Sequence, residues 1–64
     1  MDKEMAIELR QVEMAIESGK IIIEGINDKN PCDESELIIK NLERALMWSS
    51  KLKRKEKNRG IEND

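Results

Sequence analysis

The apolar residues in the first half of the chain predict one long helix that packs along its length on another helix. They recur at alternating steps of four and three residues, at Met5, Leu9, Val12, Ile16, Gly19, Ile23 and Ile26. Side chains at this spacing share one face of a helix and form a packing seam. We therefore predict helix one over about residues 3–25, with this seam facing a second helix.

A second apolar row lies on another side of the same helix. Ile7, Met14 and Ile21 each come two residues after a member of the seam, and at about 100° per residue they point nearly the opposite way. With Ala15 and Ile22 the apolar arc spans roughly 240°, whereas a helix that covers one core needs about 100° or somewhat more. We expect the hairpin partner and another chain to cover this helix from two directions. The remaining stripe, predicted to be solvated, is Arg10, Glu13, Glu17, Lys20 and Glu24.

The segment from Gly25 to Pro31 is rich in residues that favour turns, so the first helix is expected to end there. The sequence allows two different starting points for the second helix. Asn30 can be the N-cap with Pro31 in the first turn, or Asp33 can be the N-cap with Glu36 completing a capping box.

Helix two is predicted over about residues 32–55. Its buried stripe is predicted as Ile38, Ile39, Leu42, Ala45, Leu46, Ser49 and Leu52. Two helices of similar length with a short connection pack antiparallel, so the fold class is all-α and residues 1–55 form a helical hairpin. Residues 56–64 lose the apolar period and are expected to form a polar C-terminal tail.

Size and composition add the expectation of association. A chain of 64 residues buries only about 60% of the surface of its unfolded form, which leaves a marginal core. One cysteine, Cys32, and no histidine exclude an intrachain disulfide and a Cys/His metal site. We therefore expect a homo-oligomeric helical bundle. The N-terminus does not resemble a leader peptide and no stretch is apolar enough for a membrane span, so a cytoplasmic location is expected.

Charge is distributed unevenly between the two halves of the chain. Residues 1–36 carry a net charge of −6 and residues 37–64 a net charge of +4. The C-terminal half is therefore where an anionic ligand is expected to bind.

Catalysis has little support in the residue inventory. Without His or Tyr, a nucleophile such as Cys32, Ser35 or Ser49 lacks its usual proton-transfer partner. The scattered glycines form no phosphate-binding loop. We expect no enzymatic activity, no catalytic residue, no metal and no cofactor.

The outer face of helix two combines cations with the only aromatic ring. It consists of Leu37, Lys40, Arg44, Trp48, Lys51 and Lys55. Lys and Arg can contact phosphates while an indole stacks on a base; alternatively, Trp48 and Leu37 anchor a subunit interface with the cationic stems around them. The run from Lys51 to Arg59, with six bases in nine residues, suits contact with a polyanion or simply solubilises a helix end.

The stretch from Asn30 to Trp48 resembles the second half of a family of small phage helical hairpins, the anti-CBASS and anti-Thoeris proteins that act as cyclic-oligonucleotide sponges. The matching positions are Pro31, Glu34, Leu42-Glu43, Ala45 and Met47-Trp48, within about 19 of the 64 residues. The family's usual Arg before the acidic residue is Asp33 here, and its usual Thr is Lys40. The aromatic segment that precedes helix one in many members has no counterpart.

The resemblance implies a homohexamer that sequesters cyclic di- or trinucleotide immune signals without degrading them. The candidate ligand-binding residues are Lys40, Arg44, Trp48 and Lys51, with Arg10 or Lys20 from a neighbouring helix. The alternative is a helical interaction module that binds and inhibits a host protein through the row at Ile7, Met14 and Ile21. A third and less favoured hypothesis is that the basic run binds a nucleic-acid polymer, because the acidic first half of the chain would repel such a polymer.

Overall fold

The computed structural model describes the backbone of residues 2–63 and the side chains of residues 2–57, and within that part of the chain all regular structure is helical. Helix α1 spans Lys3–Lys29 and helix α2 spans Asp33–Asn63. They pack side by side as a hairpin that measures 52 × 17 × 10 Å. The prediction of an all-α antiparallel hairpin is confirmed. Within the described residues, neither helix is apolar enough over a sufficient length to cross a membrane.

Both helices are longer than the sequence pattern predicts. The N-terminus of α1 is capped by Asp2, whose Oδ1 accepts a hydrogen bond from the Met5 N–H at 2.7 Å. Helix α1 continues past Gly25 to Lys29, because Gly25 keeps a negative φ and so does not terminate the helix. Helix α2 continues past Lys55 to Asn63, since loss of apolar periodicity does not by itself break a helix. The side chains of the predicted polar tail after residue 57 lie outside the described residues.

The turn comprises residues 30–32, and Cys32 occupies the N-cap position of α2. Its carbonyl accepts the first helical hydrogen bond, from the Glu36 N–H at 3.2 Å. Asp33 is therefore the first helical residue, and neither predicted cap is correct. The reason is tertiary, since the partner that orders this turn comes from the end of α1.

Asn27, in the last turn of α1, ties the turn to α2. Its Oδ1 accepts from the Cys32 N–H at 3.4 Å and from the Ser35 hydroxyl at 2.5 Å. Ser35 Oγ also lies 3.0 Å from the Cys32 carbonyl oxygen. Only 3% of Ser35 is exposed, which makes it the most deeply buried of the described residues. The side-chain amide thus supplies an acceptor where the chain reverses direction.

The seam of α1 keeps a seven-residue repeat, but one of its two rows differs from the prediction. Its half-buried residues include Leu9, Glu13, Ile16, Lys20, Ile23 and Asn27, whereas Val12 and Ile26, predicted in the seam, are about half exposed. The row of Leu9, Ile16 and Ile23 is as predicted, and the row beside it is polar. This polar row faces α2 because Glu13, Lys20 and Asn27 each find a polar partner there.

The seam of α2 matches the prediction more closely. Ile39, Leu42, Ala45 and Leu46 are half-buried and Ser49 is buried, while Ile38 and Leu52 are exposed. Among the described residues no apolar side chain is fully buried; the two buried side chains, Ser35 and Ser49, are both hydroxyls. Within this part of the chain, one hairpin therefore leaves eleven large apolar residues exposed to water.

Candidate ligand-binding site

Four sequence-predicted residues form one row along the exposed side of α2. Lys40, Arg44, Trp48 and Lys51 recur at helical spacing and are all exposed. The row is about 17 Å long at 1.5 Å rise per residue. It lies away from the seam with α1, so all four side chains are available to a ligand or a second protein. We call these residues the basic row.

Trp48 and Lys51 are in direct contact within the basic row. The Lys51 Nζ lies 4.6 Å from the centroid of the Trp48 ring, which is a cation–π distance. Trp48 is 58% exposed, so its indole is held at the surface with a cation over one face. A base that stacks on this ring must use the other face or displace Lys51.

Lys40, at the other end of the basic row, has acidic neighbours. It lines a shallow open groove together with Asp33, Glu36 and Leu37. Two carboxylates next to one ammonium weaken the attraction of this end for an anion. The electropositive part of the row is therefore the segment from Arg44 to Lys51.

The structure places Arg10 and Lys20 away from the basic row. Arg10 lines an open groove with Lys3, Ala6 and Ile7 of α1 and Lys53 of α2. The lining combines three cations with two apolar residues, and one of these cations, Lys53, is paired with Glu13.

Lys20 lies in the hairpin seam, where its Nζ is 3.1 Å from the Glu43 carboxylate. The hydrogen bond to Glu43 raises the pKa of Lys20 above its ordinary value. Lys20 is thus paired within its own chain, and the prediction that it lies on a solvated stripe is wrong. The sequence pattern missed this pair because it connects two different helices.

Glu13 is likewise part of the seam and not of a solvated stripe. Its carboxylate accepts hydrogen bonds from the Ser49 hydroxyl at 2.9 Å and from the Lys53 ammonium at 2.5 Å, and its side chain is 17% exposed. The hydrogen bonds from Lys53 and then Ser49 hold the pKa of Glu13 below its ordinary value. A small residue, Ser49, leaves the space in which this carboxylate fits.

The candidate nucleophiles have no basic partner for proton transfer. The Sγ of Cys32 is 3.3 Å from Ser35 Oγ, whose other neighbours are an amide and a carbonyl oxygen. The Ser49 hydroxyl donates to a carboxylate whose pKa is lowered, which makes that carboxylate a poor base. The hydrogen bonds of Ser35 and Ser49 instead connect α1 to α2.

Comparison of the chain with protein-family models, curated proteins and solved structures gives no match. The likeness to the phage helical hairpins therefore rests on the residues between Asn30 and Trp48 alone.

Proposed function

We propose that this protein is a non-enzymatic binding protein that sequesters a cyclic di- or trinucleotide at the surface of a helical homo-oligomer. In the context of the phage hairpin resemblance, it would act in the cytosol of an infected host cell, where it would withdraw a second messenger of antiphage signalling. The resemblance implies a hexamer. The observation that carries the proposal is the exposed basic row, in which two cations flank an indole.

The chemistry of the row suits this ligand class. A cyclic oligonucleotide presents phosphates that are separated by flat bases, and Arg44 and Lys51 can contact phosphates on either side of a base stacked on Trp48. In the free protein Lys51 lies over the indole. A phosphate would draw the ammonium off the ring and expose that face.

The ligand is a compact anion rather than a polymer, because acidic residues border the row. Asp33 and Glu36 lie beside Lys40, and residues 1–36 carry a net charge of −6. A polyanion extending beyond the row would meet these carboxylates, whereas a ligand no longer than the row avoids them.

Calorimetric titration with a panel of cyclic di- and trinucleotides tests the proposal, with Trp48 fluorescence as a second readout. Saturable heat with a change in emission is expected for at least one member. Arg44→Glu with Lys51→Glu should abolish both signals. The control is Lys29→Glu with Lys57→Glu, which changes the net charge equally outside the row and should retain binding. Absence of heat across the panel, with the oligomer intact, would refute the proposal.

A second candidate function has its own observation. Ile7, Met14 and Ile21 are 54%, 58% and 70% exposed, and an apolar helix face can insert into a groove on a host protein. This alternative predicts that Met14→Glu abolishes inhibition of the host target. It also predicts that Lys40→Glu with Arg44→Glu leaves inhibition unchanged, which is the opposite of the result expected for a nucleotide sponge.

A further inference from the structure

The outer side of α1 carries an apolar stripe that nothing in the described part of the chain covers. Ile7, Met14 and Ile21 are spaced seven residues apart, and each is more than half exposed. Leu9 and Ile16, which face α2, come two residues after the first two, or about 200° around the helix. The stripe therefore points away from the hairpin seam.

Two rows of residues flank this stripe, and they differ in charge. One consists of Lys3, Arg10, Glu17 and Glu24, all exposed, so that two cations are followed by two acids along the helix. The other consists of Glu4, Gln11, Ser18 and Gly25, which is uncharged after its first member. If two copies of the charged row run in opposite directions, the cations of each row lie opposite the acids of the other.

We propose that α1 pairs antiparallel with α1 of a second copy of this chain, about a two-fold axis that passes near Met14. The pairing brings Ile7 against Ile21 of the partner copy and Met14 against its own equivalent. It also places Arg10 beside the partner's Glu17. The remaining ion pair joins Lys3 of each copy to the partner's Glu24.

The charge pattern selects the orientation. In an antiparallel pair, identical flanking rows of the two helices face each other in reverse order, so both cations meet acids and symmetry gives four ion pairs. In a parallel pair each charged row faces the partner's other row, where only Lys3 meets an opposite charge, the partner's Glu4, so symmetry gives two ion pairs instead of four. Charged flanks of this kind determine helix orientation more than they add affinity.

The groove beside the stripe supports the same occupant. Lys3, Arg10 and Lys53 line this groove with Ala6 and Ile7. Lys53 is already paired with Glu13, so Lys3 and Arg10 are the two cations that suit an apolar side chain between two acids. The segment of α1 around Ile21, with Glu17 on one side and Glu24 on the other, has this composition. The same contact formed twice by symmetry is what an isologous dimer requires.

A second copy also explains the missing core. No apolar side chain of the described hairpin is fully buried, and the pairing would remove six large apolar side chains from water, three from each copy. Small chains of this kind are stabilised by association. Arg10 then serves as a subunit contact rather than as a phosphate contact.

The inference rests on the self-association included in the proposed function but not on the ligand, so its test contains no nucleotide. In a Cys32→Ser background, Ile7→Cys protein is mixed with isotopically labelled Ile21→Cys protein and oxidised. We expect mixed disulfides between positions 7 and 21 by mass spectrometry. In this pairing, position 7 of one copy would lie about 21 Å from position 7 of the other along the helix axis, at 1.5 Å per residue. A disulfide cannot span that distance. Disulfides between identical positions, or none, would overturn the inference.

A charge-swap cycle gives a second test with unmodified apolar residues. Arg10→Glu and Glu17→Arg each create two symmetry-related like-charge contacts and should weaken association roughly tenfold in sedimentation experiments at low salt. The double variant restores opposite charges and should associate within about threefold of the original protein. If the double variant instead associates as weakly as the sum of the two single effects predicts, this pairing is excluded. If the two copies pair as proposed but titration with cyclic nucleotides gives no heat, only the nucleotide-binding proposal is refuted.

Discussion

Gly19 lies in the interior of α1, and replacing it with Ala should stabilise the hairpin. Its φ is negative, and a Cβ added there would meet nothing within 4 Å. Glycine in a helix interior costs about 0.8–1.0 kcal/mol relative to Ala, chiefly because it leaves the unfolded chain more freedom. Gly19→Ala should therefore raise the free energy of unfolding by about 1 kcal/mol, which raises Tm by about 4–8 °C in a domain of this size.

Urea unfolding followed by circular dichroism measures this effect. All proteins are compared at one concentration, because association adds to apparent stability. The matched control is Ala15→Gly, at an exposed position of the same helix, which should lower the free energy of unfolding by a similar amount. Urea midpoints should shift while the slope stays the same.

Destabilisation by Gly19→Ala would refute the reasoning, since it would mean that another helix approaches the backbone at this position. Gly25→Ala extends the test, because Gly25 also has open space in the hairpin but lies in the uncharged row that flanks the apolar stripe. The same stabilisation is expected there at low concentration. A loss of association by this variant alone would indicate a close helix approach on the outer side of α1.

Three further predictions concern buried or paired polar groups. Because Lys53 lowers its pKa, ionised Glu13 contributes stability that is present above the ordinary carboxylate pKa and lost as pH falls through the lowered value. Unfolding across an acid pH series should thus show a smaller loss for Glu13→Gln than for the original protein, and parallel losses would contradict this. Lys20, whose pKa is raised, contributes stability below the ordinary lysine pKa that is lost as pH rises through the raised value. The destabilisation caused by Lys20→Met should therefore shrink at strongly alkaline pH, and a constant difference argues against the ion pair. Ser35→Ala removes a hydroxyl that is 3% exposed and should cost about 1 kcal/mol in urea unfolding, whereas exposed Ser50→Ala should stay within about 0.5 kcal/mol; equal effects would show that the turn hydrogen bond is unimportant.

The sequence by itself determined the two helices, their antiparallel packing and the outer face of each helix. Apolar spacing identified α1 and α2 because side-chain direction follows directly from the helical period. The same reasoning put Lys40, Arg44, Trp48 and Lys51 on one exposed face, as the structure does. It also identified the outer stripe of α1.

Only the tertiary structure decided which polar residues enter the seam. Glu13 and Lys20 are predicted to be solvated from α1 alone, yet Ser49 and Lys53 donate hydrogen bonds to Glu13. Lys20 forms an ion pair with Glu43. These partners lie far apart along the chain, so their meeting depends on the register of α1 against α2.

The helix ends were decided in the same way. Asn27 of α1 accepts hydrogen bonds from Cys32 and Ser35 across the turn, which moves the start of α2 to Asp33. A local pattern cannot show this, because the acceptor becomes available only when the two helices are packed. Period and propensity are properties of one helix, whereas the register and the structure of the turn arise from contact between two.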